Sequence, residues 1–221
     1  MRSKKDNTLD LFEPPTEQSR EELAPGAWIL RGFALPDEAE IISALNSVIA
    51  QSSLRHMVTP GGYRMSVAMT NCGSLGWITD ATGYRYDAVD PETNQPWPKM
   101  PDAFYNLATA ASVEAGFPGF SPDACLVNRY EPGTKLSLHQ DKDEKDFAQP
   151  IVSVSLGIPA TFLFGGERRA EKAQRVILHH GDVVVWGGTA RLRYHGVLPL
   201  KDATHALLGR ARINLTFRKA G

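Results

Sequence analysis

The chain holds 221 residues, 42% hydrophobic and 22% charged, with 24 Lys plus Arg against 25 Asp plus Glu. That length suits one ordinary domain with an extension, and the composition excludes the disordered, collagen-like and membrane classes. The balanced charge excludes a bulk positive field, so any attraction to phosphates must come from local clusters. Cys72 and Cys125 lack CxxC spacing, which argues against a disulfide scaffold or a zinc knuckle and suits a reducing compartment. No apolar run near the start is long enough for a signal peptide or a membrane span, so a cytoplasmic chain with no membrane contact is expected.

Residues 1–25 are polar and carry the adjacent Pro14 and Pro15, which predicts a flexible tail, and residues 26–221 read as a single domain. A strand-like run, Ala27 to Leu35, comes first. Pro36 and Asp37 then introduce AEIISALNSVIAQ, whose apolar residues recur at helical spacing. Between Arg55 and Trp97, glycines alternate with Tyr63, Trp77, Tyr84, Tyr86 and Trp97, a texture that predicts hairpins or a mobile cover. A second helix is expected from Asp102 to Glu114, with Phe104, Leu107 and Ala111 on one face and Gly116 beyond its end. From Ala124 onward come eight short runs with turn residues between them: ACLVNRY, KLSLHQD, IVSVSLG, ATFLF, RVILH, DVVVWGG, RYHGVLPL and RINLTFR. They predict an all-β sandwich or barrel. The alternation in Ile151 to Leu156 predicts strands with one buried face.

In SLHQDKD, His139 and Asp141 are two residues apart, so on an extended chain both leave the same face and can grip one ion. An HxD pair is common in ordinary surface turns, and a third ligand is needed. His195 lies within an apolar strand signal between Tyr194 and Gly196; by itself it reads equally as a satisfied core histidine. Two His and one carboxylate form the facial triad that leaves coordination positions open on non-haem Fe(II). The same donors also suit catalytic zinc. A ferrous oxygenase differs in needing an electron-donating co-substrate such as a 2-oxo acid, whose remote carboxylate calls for an arginine fork. In RINLTFR, Arg212, Asn214, Thr216 and Arg218 share one face and Ile213, Leu215 and Phe217 the other. Arginines pointing into a barrel mouth favour iron with a 2-oxo acid; the alternative for such a strand is a solvated edge.

Taken in order, NRYEPGTKLSLHQDKDE, FGG, HGDVVVWGG, YHGV and RINLTFR, with MVTPGGYRMSVAMTNCGSLGW upstream, resemble the AlkB family of Fe(II)/2-oxoglutarate-dependent dioxygenases from about Ile29 to the C-terminus. The resemblance implies a mainly β protein with flanking helices: a double-stranded β-helix, or jelly roll, at residues 124–221 and a nucleotide-recognition lid at residues 55–97. It implies that His139, Asp141 and His195 are the iron ligands and that Arg212 binds the remote carboxylate of 2-oxoglutarate. Arg218 would then lie near the chelating end, with Asn128, Tyr130 and Asn214 as further co-substrate contacts. The implied activity couples 2-oxoglutarate and O2 to succinate and carbon dioxide. It removes N-methyl groups from bases such as 1-methyladenine and 3-methylcytosine as formaldehyde. Such bases cannot pair normally and so leave a duplex more easily.

The resemblance also assigns Trp77 as a stacking platform, with the ring of His139 on the opposite face of the base. If the strand carrying His139 continues, Asp143 shares the metal-facing side and can accept the exocyclic amine of a cationic base; otherwise it is one acid in the solvated run DKDEKD. Met69 is expected to line the pocket. Thr59, Tyr63 and Tyr84 match phosphate contacts, and Arg169, in the cluster Arg168, Arg169, Lys172 and Arg175, is expected to meet phosphate or base. The segments ERRAEKAQ and KDATHALLGRA depart from the family pattern. The expected partner of this monomer is alkylated single-stranded DNA, with duplex DNA and RNA as further targets. The rivals are the same chemistry on tRNA or protein and a non-catalytic nucleic-acid-binding jelly roll.

Overall fold

The computed structural model describes residues 19–221; the tail expected at residues 1–25 lies outside them as far as residue 18. Its last part is ordered, because Ser19–Ala24 forms strand β1 antiparallel to β2, Ala27–Arg31. The polar text SREELA hides this strand. It is an exposed sheet edge, and Glu21 closes an ion pair with Arg31 across the ladder, Nε to Oε1 2.9 Å. The first apolar run ends at Arg31, where Gly32 turns the chain with φ +61.

Helix α1 spans Glu38–Gln51 and buries Ile41, Leu45 and Val48, one stripe at i, i+4 and i+7. Glu38 and Glu40 in its first turn face the positive end of the helix dipole. Next come β3 (Ala68–Gly73), β4 (Gly76–Asp80), β5 (Gly83–Asp87), β6 (Val89–Asp90) and β7 (Gln95–Pro96). Helix α2, Asp102–Glu114, has the expected bounds and buries Phe104, Leu107, Ala108 and Ala111. The eight expected strands follow: β8 (Ala124–Tyr130), β9 (Leu136–His139), β10 (Ile151–Gly157), β11 (Ala160–Phe164), β12 (Gln174–Leu178), β13 (Val183–Trp186), β14 (His195–Val197) and β15 (Arg212–Arg218).

Seven strands form the major sheet in the order β1-β2-β13-β10-β15-β8-β3, and four form the minor sheet, β12-β11-β14-β9. These two layers are the expected jelly roll. Of the stretch expected as a lid, β3 belongs to the major sheet, and β4–β5 and β6–β7 form two separate hairpins.

Strand β10 is buried on both faces, which corrects the expectation of one buried face for Ile151 to Leu156. Val152, Val154, Leu156, Val183, Val185, Ile213, Leu215 and Phe217 pack with α1 and α2 in one core. The intervening residues turn toward the minor sheet, where Ile151, Val184 and Trp186 meet Phe162, Phe164 and Val197 in a second core. Strand β15 is central, between β10 and β8, so a solvated edge is excluded for RINLTFR. Its polar set, Arg212, Asn214, Thr216 and Arg218, is buried between the sheets.

Candidate metal centre and substrate cavity

His139 and His195 are brought together by strand pairing, since they stand directly opposite each other on β9 and β14, their ring centroids 4.4 Å apart. The close approach depends on Gly196, where an added Cβ would lie 2.7 Å from the carbonyl oxygen of Leu136. Each ring is aimed by a backbone acceptor. Nδ1 of His139 lies 2.9 Å from the Ser137 carbonyl and Nδ1 of His195 lies 3.0 Å from that of Arg193. A carbonyl only accepts, so both Nδ1 atoms carry the proton and both Nε2 lone pairs are left free. Those lone pairs converge on Asp141: His139 Nε2 is 3.6 Å from Oδ1, and His195 Nε2 is 3.6 Å from Oδ2. Ligand atoms of all three residues lie within 4.8 Å of one another. Metal–ligand bonds of about 2.1 Å span such gaps.

The protonation states suit a cation. Burial, with His195 alongside, lowers His139 to about 4, although 34% of its side chain still meets solvent, so the ring is neutral near pH 7. Burial alone would raise Asp141, but the Arg218 guanidinium and the two imidazoles outweigh it and hold the carboxyl well below its usual range. Arg218 donates from Nη2 to Asp141 Oδ2 at 2.7 Å and from Nε to the same oxygen at 3.1 Å.

These side chains line a cavity of about 570 Å³, a size typical of small-molecule sites. Fourteen of the fifteen side chains singled out from the sequence border it: Thr59, Met69, Trp77, Tyr84, Asn128, Tyr130, His139, Asp141, Asp143, Arg169, His195, Arg212, Asn214 and Arg218. Tyr63 does not. It is 77% exposed at a turn where its N–H donates to Thr59 Oγ1, because Gly61 and Gly62 reverse the chain and turn its ring to solvent.

Arg212 is the deepest charge of the cavity, 2% exposed, and its Nη2 donates to Ser155 Oγ at 2.8 Å. Its Nε and Nη1 are buried without a hydrogen-bond partner. An orphaned guanidinium edge inside a protein calls for an anion from outside the chain, and a carboxylate fits that edge with two parallel bonds. A 2-oxo acid bound to iron presents such a carboxylate at its far end. The residues therefore fit ferrous iron with 2-oxoglutarate.

At the mouth, Trp77 and Tyr84 stack across the β4–β5 hairpin, centroids 5.7 Å apart and planes 21° apart. Trp77 Nε1 donates to Asp143 Oδ2 at 2.9 Å. Asp143 reaches the cavity although β9 ends at His139, so the strand continuation invoked for it is absent. In the ERRAEKAQ segment, Arg168 pairs with Glu171 through Nε at 2.7 Å, leaving Arg169 at the cavity.

Several residues escaped the sequence reading. Glu144, assigned to a solvated run, is 6% exposed, because Arg191 Nη2 at 3.0 Å, Arg218 Nε at 3.2 Å and the Tyr86 hydroxyl at 2.7 Å enclose its carboxylate. Burial, foremost, pushes the Tyr86 phenol up. No local pattern marks Glu144 or Arg191. Ser153 and Ser155 did carry a signal, as the polar alternates of β10 that face the polar alternates of β15 in register. Trp186 also lines the cavity, with its indole N–H unpartnered.

A jelly roll that pairs a neutral-His and carboxylate cluster with an open arginine fork defines an oxygenase that spends a 2-oxo acid. The chain belongs to the 2OG-Fe(II) oxygenase superfamily, whose family description matches residues 26–218. It is 59% identical over 213 residues to the alpha-ketoglutarate-dependent dioxygenase AlkB of Escherichia coli (strain K12), covering 96% of this chain and 98% of that one. It is 44% identical over 181 residues to the AlkB homolog of Caulobacter vibrioides (strain NA1000 / CB15N), covering 81% of this chain and 80% of the relative. The solved structure of OsALKBH1 superposes with a TM-score of 0.79 at 31% identity, covering 91% of this chain and all of that one.

Proposed function

We propose that the chain demethylates N-alkylated bases of the 1-methyladenine and 3-methylcytosine type in single-stranded DNA, as a direct-reversal repair enzyme. The observation that carries this reading is one continuous cavity, bordered by the open fork of Arg212, the His139–Asp141–His195 cluster and the Trp77–Tyr84 pair. With ferrous iron, oxygen and 2-oxoglutarate bound, the centre supplies the oxidising power that hydroxylates an N-methyl carbon, giving succinate, carbon dioxide and, from the unstable N-hydroxymethyl product, formaldehyde.

The chain's own residues position and protonate. Neutral His139 and ionised Asp141 hold the ion without first shedding a proton near pH 7. Arg212 takes the remote carboxylate of the co-substrate on its two free donors, with Asn128, Tyr130 and Asn214 as walls and Arg218 toward the chelating end. Trp77 stacks on one face of the flipped base and the His139 ring meets the other. Asp143 offers the exocyclic amine of a cationic base the carboxylate oxygen that Trp77 leaves free. A methylated base that has lost its Watson–Crick face is also cheaper to flip. Met69 closes the apolar side, while Thr59, Tyr84 and Arg169 track the phosphates at the rim and Tyr63, outside the cavity, meets the DNA strand beyond it. The proposal includes a cytoplasmic monomer, supported by the buried free thiols of Cys72 and Cys125. Among the described residues, no helix is long and apolar enough to cross a membrane.

The test incubates the protein with Fe(II), 2-oxoglutarate and an oligonucleotide carrying 1-methyladenine, following loss of the methyl mass and release of succinate. Repair should be stoichiometric with succinate. No repair above a metal-free control defeats the reading, and parallel DNA, duplex and RNA arms rank the substrates.

A further inference from the structure

Asp141 hangs from a chain segment that is not paired as a strand, whereas His195 opens β14, paired with His139 on one side and Phe164 on the other. Strand β9 stops at His139, so Asp141 sits in a connection without regular structure that runs to β10. The segment just before β14 joins the two arms, and Arg191 is its central residue. The guanidinium is 3% exposed and uses each of its three nitrogens on that connection. Nη1 donates to the Asp141 carbonyl at 2.8 Å, Nη2 to Glu144 Oε2 at 3.0 Å and Nε to the Gln149 carbonyl at 3.0 Å. The Phe147 ring lies 5.3 Å from its Cζ. One rigid plane thus grips the start, middle and end of residues 141–149. Nearby, Gln140 Nε2 donates to the Leu192 carbonyl at 2.6 Å, and the Arg193 carbonyl aims His195. The grip also reaches the metal side, because Glu144 touches Arg218, which in turn holds the Asp141 carboxylate.

We propose that Arg191 is a positioning residue of the metal centre, one that fixes the Asp141 arm against the His195 arm and thereby sets metal affinity. The inference rests on the metal-centre reading above. Its physical basis is that a ligand-bearing loop without strand pairing is free to shift, and outer-shell contacts that orient ligands change metal affinity about 10- to 100-fold. A lysine keeps a charge opposite Glu144 but cannot reach three divergent acceptors. A merely structural arginine would lower fold stability, metal affinity and co-substrate affinity together; a positioning arginine lowers metal affinity alone.

The experiment measures Mn(II) binding to the full chain by the loss of the free-ion electron paramagnetic resonance signal, for the unsubstituted protein, Arg191→Met, Arg191→Lys and His139→Ala. Melting temperature is followed in parallel, together with 2-oxoglutarate affinity at saturating Mn(II). Arg191→Met is expected to weaken Mn(II) about 10- to 100-fold, with Arg191→Lys between it and the unsubstituted protein. Co-substrate affinity at saturating metal should be unchanged. Unaltered Mn(II) affinity in Arg191→Met overturns the proposal, as does a loss that co-substrate affinity shares in equal measure. If Arg191→Met does not fold, Arg191→Lys decides: weakened Mn(II) binding at an unchanged melting temperature supports the proposal, and normal binding overturns it. Failure of the metal-centre reading looks different, since the unsubstituted protein would then bind no Mn(II), or His139→Ala would bind it equally well.

Discussion

Replacing Arg212 by methionine should move two measurements in opposite directions. Arg212 is 2% exposed, its charge answered in the protein by Ser155 Oγ and by the face of Tyr130, whose ring centre is 5.0 Å from Cζ. Nε and Nη1 have no partner, so without co-substrate the chain carries the desolvation cost of a buried cation with no counter-charge. Removing uncompensated buried charge in favour of a similar apolar side chain stabilises by about 1–4 kcal/mol. The loss of the Ser155 bond offsets about 1 kcal/mol of that. From the middle of that range the net gain is about 1–2 kcal/mol, which should raise the melting temperature by roughly 2–8 °C in a chain of this size. With co-substrate the sign reverses, because a charge-assisted double hydrogen bond to a carboxylate disappears. That loss is worth about 3 kcal/mol, on the order of a hundredfold in affinity. Scanning calorimetry of the metal-free protein gives the first quantity, and the KM for 2-oxoglutarate in succinate release gives the second. Added Mn(II) and 2-oxoglutarate should protect the unsubstituted protein against heat far more than the variant. A variant that melts lower and keeps its 2-oxoglutarate KM would refute the account of Arg212 as an unfinished anion site.

Trp77→Ala should weaken a methylated oligonucleotide by about 1–3 kcal/mol, read by fluorescence anisotropy, and leave 2-oxoglutarate binding unchanged; equal binding by the variant would rule out the stacking platform. Gly157→Ala should lower stability by about 2–4 kcal/mol in urea titration. The reason is that φ is +91 and a Cβ there would lie 2.2 Å from the Ala211 carbonyl oxygen; a small shift would mean the backbone yields. Asp90 supplies the pH test. Burial alone would raise its carboxyl, but Arg55, bonded to both oxygens at 2.9 and 2.7 Å, with Ser52 and the Glu92 N–H, lowers it. A folded value below the unfolded one means that this stabilisation is complete above about pH 4 and fades as the pH falls through the lowered value. Asp90→Asn should therefore cost about 3 kcal/mol at neutral pH, a gap that narrows below pH 4; a constant gap down to acid would contradict the ion-pair account.

The strands from Ala124 onward were legible because turn residues punctuate them, and α2 was legible because its apolar stripe starts after Pro101 and stops before Gly116. Strand β1 was not, because SREELA has no apolar alternation; it is a strand only through its ladder to β2 and the Glu21–Arg31 pair. The chemistry of the metal centre was readable from residue types, but its assembly was not. That His139 meets His195 depends on the register of β9 against β14 and on the room Gly196 leaves, neither of which a single sequence states.

Alternation along a strand has a built-in ambiguity that this site resolves twice. Polar residues at every second position of β15 read equally as a wet edge or a lined cavity, and only the discovery that Ser153 and Ser155 of β10 face them in register decides for the cavity. The acids of DKDEKD pose the same problem outside a strand. Asp143 stays at the rim with Trp77, while its neighbour Glu144 is drawn inward by an arginine 47 residues along the chain and by Arg218 beyond it. A run of charges reads as solvated only when its partners are local. Here they come from β15 and from the segment before β14, so the same contacts that buried Glu144 also tie the Asp141 arm to the rest of the metal centre.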